Sequence, residues 1–151
     1  MRRGFTLVEI LASLAIVGII AAISVSSFLN FNRKEALELE TGKMLSLLAE
    51  ARALTLSGKD GAVFGVHFET GKAVLFKGAT YSAGSAGNRE LRIHDEVRLS
   101  AITLAGGATD VVFKKLTGAT AQSGTLTLVS NRDATDTRTI TITATGVAYS
   151  D

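Results

Sequence analysis

Few side chains in this sequence have the type and spacing that catalysis requires. The chain contains two histidines, His67 and His94, and no cysteine. Neither histidine has a second histidine nearby in sequence, and His67 lies within an apolar run that is typical of a strand. Acid–base and nucleophilic catalysis both need such groups beside a partner that activates them. We therefore expect both histidines to be packing or surface residues, with no catalytic residue in a protein that is not an enzyme.

One loop, Asn131–Asp136, is rich in oxygen ligands of the kind that Ca²⁺ prefers. It lacks the fuller set of carboxylates that a calcium cage needs, so an Asx-rich hairpin turn is favoured, although both interpretations stay open. A second loop, Tyr81–Asn88, is made mostly of Gly, Ser and Ala and lacks the Lys-Ser/Thr ending of a phosphate-binding loop. We expect no bound metal and no cofactor.

Glu9 is the residue whose chemistry requires a partner. It is a carboxylate with apolar residues on both sides, directly before a long uncharged run. Placing an unpaired carboxylate in an apolar medium is costly. From the residue alone two interpretations stand: Glu9 lies at the headgroup level of a membrane anchor, or it meets a cation that another chain supplies.

The uncharged run has the length of a membrane span. Ile10–Leu29 contains twenty consecutive residues without a charge, which is about 30 Å of helix. Arg2 and Arg3 precede it and favour a cytoplasmic N-terminus, with the rest of the chain on the other side. A cleaved secretory signal fits poorly, because the small-residue site Ser24–Ser26 would leave an apolar mature start.

The residues Arg3-Gly4-Phe5-Thr6-Leu7-Val8-Glu9 resemble the cleavage and methylation motif of type IV pilins and of type II secretion pseudopilins. The resemblance implies that a prepilin peptidase cuts between Gly4 and Phe5 and N-methylates Phe5. It also implies that Glu9 meets the terminal amine of a neighbouring subunit. Elementary electrostatics agrees, because a buried ammonium and a buried carboxylate tolerate an apolar environment only as a pair.

The same resemblance implies an organisation and a location. Residues 1–4 are the prepilin leader, and residues 5–29 form the hydrophobic helix for the bacterial inner membrane and for assembly. The globular part lies in the periplasm, and the assembled subunit is part of a pseudopilus or pilus. The implied partners are other pilin or pseudopilin subunits, prepilin peptidase, the inner-membrane assembly platform and the membrane itself. The chain departs from many pilins in having no proline, so any kink must arise at Gly18 or in the stretch Ser24–Ser27.

The helix is predicted to continue through residues 30–57 as an amphipathic segment. Strong helix formers dominate this stretch, and Gly42 is the one glycine before Gly58. Apolar residues recur on one face, while Glu35, Gly42, Ser46 and Glu50 fall opposite. The apolar face comprises Leu37, Met44, Leu48 and Ala51, flanked by Leu47 and Leu54. We expect this face to pack on the sheet that follows.

Residues 58–151 have the pattern of a β-rich globular domain. Ala62–Phe68 and Ala73–Lys77 are strand-like runs on either side of a glycine-containing turn, as in a hairpin. Further strand-like runs follow at 90–94, 97–104, 110–114, 125–129 and 137–143. The predicted fold class is therefore α+β: one long N-terminal helix, then a meander of short strands.

A second, pattern-level resemblance concerns the C-terminal half. The segments Val112-Phe113, Leu116-Thr117-Gly118, Ser123–Leu128, Arg138–Ile142 and Gly146 are similar to the GspH/FimT family of minor pseudopilins and minor pilins. That resemblance implies a β-sandwich-like antiparallel domain packed on the long helix. It implies a minor pseudopilin of type II secretion, a structural subunit serving protein export across the outer membrane. A minor or major type IV pilus subunit, or a membrane-tethered periplasmic binding module, is the alternative.

The overall charge gives no sign of nucleic-acid binding. The chain has 16 Lys and Arg against 14 Asp and Glu, and removing Arg2 and Arg3 leaves 14 against 14. With no tryptophan and two tyrosines, there is little material for base stacking. Nucleic acid is therefore not expected among the partners.

Overall fold

The computed structural model describes residues 6–151, except for the side chains of residues 23–34. The chain divides into two compact units, Met1–Lys34 and Glu35–Asp151. One α-helix, α1, runs through Leu7–Leu56 and has 50 residues, so it contributes to both units. Gly4 and Phe5, the predicted cleavage and methylation residues, lie outside the described residues.

Across the described residues, no helical segment is both long and apolar enough to cross a membrane. The predicted span at 10–29 extends beyond residue 22 into side chains that lie outside the described part of the chain.

Helix α1 ends at a glycine in the left-handed conformation. Gly58 has φ 66°, and its N–H donates to the Thr55 carbonyl at 3.2 Å. Glycine adopts this conformation without a steric penalty, and so commonly terminates helices. The buried Thr55 hydroxyl accepts the Phe64 N–H at 2.9 Å, which fastens the end of the helix to the first strand. A short 3₁₀ turn, Lys59–Gly61, lies between them.

Eight strands form two antiparallel sheets. They are β1 (Phe64–Glu69), β2 (Lys72–Lys77), β3 (Arg89–Arg92), β4 (Val97–Leu104), β5 (Asp110–Val112), β6 (Gly124–Ser130), β7 (Thr137–Ile142) and β8 (Ala148–Ser150). The first sheet has the order β3-β2-β1-β5 and the second has the order β4-β6-β7-β8. The hairpin predicted around Glu69–Lys72 is confirmed, with β1 paired to β2 from Phe64↔Lys77 to Glu69↔Lys72.

The strands do not form one continuous meander. After β3 the chain leaves the first sheet, and β4 pairs with β6 in the second. It then returns, and β5 pairs with the other edge of β1. β8, which the sequence did not predict, adds a fourth strand beside β7. Because two sheets and a helix bury more apolar surface than one meander could, the strands are shared between two layers.

One hydrophobic core draws side chains from α1 and from both sheets. The predicted apolar face of the helix is confirmed, since Leu37, Met44, Leu47, Leu48 and Ala51 are buried and Leu54 packs against them. The first sheet contributes residues such as Val66 and Phe68, and the second contributes Leu126, Leu128 and Ile140. The α+β class, with a helix packed on a sandwich-like pair of antiparallel sheets, is confirmed.

Glu40 is a charged residue of α1 that is buried. Lys43 Nζ lies 2.8 Å from its Oε1. Its Oε2 has no hydrogen-bond partner among the described residues. A buried carboxylate is expected to satisfy both oxygens, so Glu40 departs from the rule that places helical glutamates on the solvent face.

Candidate functional site

Glu9 lies in the first turn of α1, immediately behind a helix cap. Thr6 Oγ1 accepts the Glu9 N–H at 3.3 Å, and the Thr6 carbonyl accepts the Ile10 N–H at 3.2 Å. Thr6 is thus the N-cap, and a threonine three residues before a glutamate has the spacing of a capping box. The positive end of the helix dipole favours a carboxylate in this turn. The Thr-x-x-Glu spacing was a signal in the sequence for the role of Thr6, which our sequence analysis missed.

The surface around Glu9 is apolar on every side of the helix. Glu9 is the only charged residue in the segment 6–22. The exposed large apolar side chains of this segment are Leu7, Val8, Ile10, Leu11, Leu14, Ile16, Val17, Ile19 and Ile20. A helix that is apolar all round is normally covered by lipid or by other helices.

Within the described part of the chain, the Glu9 carboxylate has no ion pair. The Ser13 side chain, one turn later, contacts the backbone of Glu9 and not its carboxylate: Ser13 Oγ donates to the Glu9 carbonyl at 2.8 Å. The arrangement presents one carboxylate, on a capped helix, within an exposed apolar surface. A carboxylate in an apolar environment is tolerated when it is paired with a cation, and the described residues supply no such cation to Glu9.

The comparison with protein families bears on this segment. The family model for the prokaryotic N-terminal methylation motif matches residues 1–25. The chain carries a prepilin-type N-terminal motif. Such a motif is found in type IV pilin-like proteins and pseudopilins, and it points to a structural subunit. No curated protein and no solved structure matches the chain. The prepilin motif therefore characterises the start of the chain, whereas Glu35–Asp151 is characterised by its structure alone.

A second cluster surrounds His67 on the face of the first sheet that lies away from the main core. His67 Nδ1 lies 2.5 Å from Asp110 Oδ1, and its Nε2 lies 3.5 Å from Glu69 Oε1. The Tyr81 ring stacks on the imidazole, with ring centroids 3.9 Å apart. Tyr81 also meets the buried Phe76 edge-on. Sequence reasoning missed this cluster, because Asp110 is 43 positions away and reaches His67 only through the pairing of β5 with β1.

The contacts of His67 indicate a structural role. Each ring nitrogen faces a carboxylate, and one face of the ring is covered by Tyr81. The contact with Asp110 and the stacking of Tyr81 hold the loop that follows β2 against the sheet. The sequence predicted a packing or surface role for His67.

The loop Asn131–Asp136 forms the turn between β6 and β7. Asp133 Oδ1 accepts the Thr135 N–H at 3.0 Å, which makes an Asx turn. Asn131 Nδ2 donates to the Asp95 carbonyl at 2.7 Å, and Asn131 Oδ1 accepts a hydrogen bond from Arg98. Among the described residues, no group of three or more acidic, histidine or cysteine side chains has a geometry that could hold a metal ion.

Ion pairs on the surface shift the pKa values of Asp60 and Lys72. A hydrogen bond from Lys77 lowers the pKa of Asp60, at a distance of 2.9 Å. A hydrogen bond to Glu90 raises the pKa of Lys72, at 3.2 Å. Such exposed pairs contribute little to stability, and neither belongs to the candidate site.

Proposed function

We propose that this protein is a structural subunit of a periplasmic filament, namely a minor pseudopilin of a type II secretion system that exports proteins across the outer membrane. In this proposal prepilin peptidase removes residues 1–4 and methylates the new N-terminus at Phe5. Residues 5–29 anchor the precursor in the inner membrane. The same helix then packs among the helices of other subunits, with the globular domain in the periplasm.

The observation that carries the proposal is the isolated carboxylate of Glu9 on an exposed apolar helix, within a matched prepilin motif. Removal of the leader creates a terminal ammonium at Phe5, four residues before Glu9 in sequence. In an apolar bundle this ammonium needs a carboxylate, and the Glu9 of a neighbouring subunit is of the right charge. The GspH/FimT resemblance and the two-sheet domain support the minor pseudopilin over a type IV pilus subunit.

The mass of the intact protein tests the processing step. The full chain is produced in a host with an active prepilin peptidase, extracted from the membrane and weighed by mass spectrometry. We expect a species that has lost Met1–Gly4 and gained one methyl group. A mature species that still begins at Met1 would overturn the proposal.

A pair of glycine variants makes the test specific. Gly4→Leu should block processing, because a bulky side chain at the scissile bond keeps the peptidase from closing around the backbone. Gly18→Leu is the matched control, since among the described residues nothing beyond the adjoining backbone of its own helix lies within 4 Å of the position that its Cβ would take. We expect the control to be cut and methylated normally.

A further inference from the structure

A small hollow lies between α1 and the start of β8, near the C-terminal end of the helix. Its volume is about 210 Å³, which is larger than the cavities of ~150 Å³ that hold a benzene molecule in other proteins. Apolar side chains line it, namely Leu45, Ala49, Ala53 and Leu56 of α1 together with Val147 and Ala148. Leu56 and Val147 are also exposed, although both are large and apolar. The hollow therefore has room for one apolar side chain of the size of leucine.

Arg52 brings a positive charge to this apolar hollow. Its side chain is half-buried, and its Nε donates to the Gly118 carbonyl at 3.2 Å. A Cβ at Gly118 would lie 2.8 Å from that Nε, so any larger residue there would displace the arginine. In the described part of the chain no carboxylate forms an ion pair with Arg52. The terminal nitrogens of its guanidinium are therefore available to a carboxylate, which such a group binds through two parallel hydrogen bonds.

The surface at this end of the domain is positively charged. Three exposed lysines lie in the turns near the end of the helix, namely Lys59, Lys114 and Lys115. Lys115 Nζ donates to the Gly61 carbonyl, an uncharged partner that leaves the lysine charge unpaired. Asp60, the acidic residue of the 3₁₀ turn, is already paired with Lys77 at 2.9 Å. Such a surface favours an anionic ligand beside Arg52.

The strand that borders the hollow has an open edge. β8 is the last strand of the second sheet, so in the described chain no strand lies on its far side. The Val147 carbonyl accepts and the Asp151 N–H donates a hydrogen bond on the β7 side. Because backbone groups alternate in direction along an antiparallel strand, Ala148 and Ser150 direct theirs to the open edge. An edge of this kind can accept an added strand from another chain.

We propose that the hollow and the open edge of β8 bind the C-terminal end of another protein as an added antiparallel strand. Each strand pair of this sheet is antiparallel, and an added strand continues the pattern. Ala148 lines the hollow beside Arg52, whereas Ser150 and Thr41 line the surface further back along the helix. An antiparallel strand therefore ends at Arg52. Its terminal carboxylate meets the guanidinium, and its apolar last side chain fills the hollow.

The site fits a peptide better than it fits a fatty acid. A fatty acid would fill the hollow and neutralise Arg52, but it would leave the outward N–H and C=O groups of β8 without partners. A peptide strand satisfies those groups as well. The ligand is thus an extended segment that ends in an apolar residue with a free carboxylate. This inference goes beyond the proposed function and does not rest on it, because the site lies wholly within Glu35–Asp151.

Fluorescence anisotropy with the full chain in phosphatidylcholine nanodiscs tests this binding. The probe is the peptide Gly-Ser-Thr-Val-Thr-Leu, labelled at its N-terminus and ending in a free carboxylate. We expect saturable binding. The same peptide with a C-terminal amide should bind about tenfold more weakly or worse, because it loses the charge-assisted hydrogen bonds to Arg52. Methylation of the peptide nitrogens that face β8 should also weaken binding, whereas methylation of the alternate nitrogens should have little effect.

Two variants of the chain locate the site. Ala49→Leu fills the hollow from an exposed helical position, so the fold is kept while the dissociation constant should rise about tenfold or more. Ser46→Leu, at an exposed position of the same helix outside the hollow, is its matched control and should bind normally. Arg52→Gln should weaken binding of the carboxylate peptide about tenfold and leave the amide peptide unchanged. Arg92→Gln, at an exposed arginine of β3, is its matched control.

Several results would each overturn the inference. The carboxylate peptide might as well be absent if its binding does not saturate, and an amide peptide that binds as tightly as the acid would remove the role of the carboxylate. An unchanged dissociation constant in Ala49→Leu would place the peptide elsewhere. Equal weakening of both peptides by Arg52→Gln would give Arg52 a merely structural role at Gly118. Decanoate that binds as tightly as the peptide would show that the open edge of β8 contributes nothing.

Discussion

At the scale of single residues, Thr6 and Glu9 have different roles at the start of α1. The Thr6 hydroxyl satisfies the Glu9 backbone N–H, which would otherwise be an unpaired donor at the helix terminus. The side-chain carboxylate of Glu9 then remains available for a group outside the chain.

Glu9→Gln tests whether this charge serves assembly. We expect insertion and processing to be unaffected, because a neutral amide is easier than a carboxylate to hold at membrane depth. Incorporation into the filament should fall sharply, since an unpaired terminal ammonium in a helical bundle costs several kcal/mol. Co-purification of the processed subunit with its filament partners measures this effect.

The control for that experiment is Glu35→Gln, which makes the same change on an exposed part of α1 in the globular unit. It should leave incorporation near the wild-type level. Equal incorporation of the Glu9→Gln variant and the wild type would mean that Glu9 is only an interfacial residue.

Two glycines with similar backbone angles allow strain and close contact to be separated. Gly146 has φ 79°, and a Cβ there would lie 1.9 Å from the Gly118 carbonyl oxygen. Gly106 has φ 74° with nothing within 4 Å. Gly106→Ala should lower the free energy of unfolding by about 1 kcal/mol through strain, and Gly146→Ala by about 2–5 kcal/mol through strain and overlap. Equal losses in chemical denaturation would show that the loops around Gly146 move apart freely.

At the scale of elements, α1 has two surfaces of different kinds along one helix. In the segment 7–22 large apolar side chains are exposed all round, whereas from residue 35 onward they are concentrated on one face. A single buried stripe packs on a globular domain, while a uniformly apolar helix needs cover on all sides. The change of pattern along the helix therefore separates a segment whose apolar side chains are exposed all round from a segment that packs on the globular domain.

Two leucines of α1 allow the contribution of its buried face to stability to be tested. Leu48 is 1 % exposed and belongs to the core, whereas Leu39 is 57 % exposed. Leu48→Ala should lower the free energy of unfolding by about 2–5 kcal/mol, because it removes buried methyl groups and leaves a cavity. Leu39→Ala, the same change on the same helix, should cost less than about 0.5 kcal/mol. Comparable losses in denaturant unfolding would mean that the stripe does not carry the packing of the helix.

Many of the helix and strand positions were predictable because they follow from local patterns of apolar and polar residues. The stripe at Leu37, Met44 and Leu48 follows the helical repeat, and the β1–β2 hairpin follows from two strand-like runs on either side of a turn that contains Gly71. The runs that became β6 and β7 alternate cleanly and were found within one or two residues of their ends. For the candidate site, the charge of Glu9 in an apolar run was enough to single it out.

The rest depends on contacts that no local pattern encodes. β8 has three residues, Ala148–Ser150, which is too short to show a period. The return of β5 to the first sheet brings Asp110 to His67, and no sequence pattern near either residue predicts this pairing. The burial of Glu40 likewise depends on what packs over that turn of α1. Such features are set by long-range packing, where tertiary context overrides local preference.

At the scale of the whole molecule, the described core lies in one unit. Every described residue of the hydrophobic core, including those packed at its margin, lies between Ala36 and Ala148. The unit Glu35–Asp151 thus contains its helix, both sheets and all the apolar surface that they bury together. Among the described residues, the segment 6–22 contributes no side chain to that core. In the proposed function, folding and assembly therefore depend on different parts of the chain.

A chain truncated to begin at Asn32 should accordingly fold by itself. We expect one cooperative unfolding transition, because the complete core is retained, and a monomer in sedimentation, because the exposed apolar helix is removed. A truncated chain that unfolds without a cooperative transition, or that sediments as a stable dimer, would contradict this separation of folding from assembly.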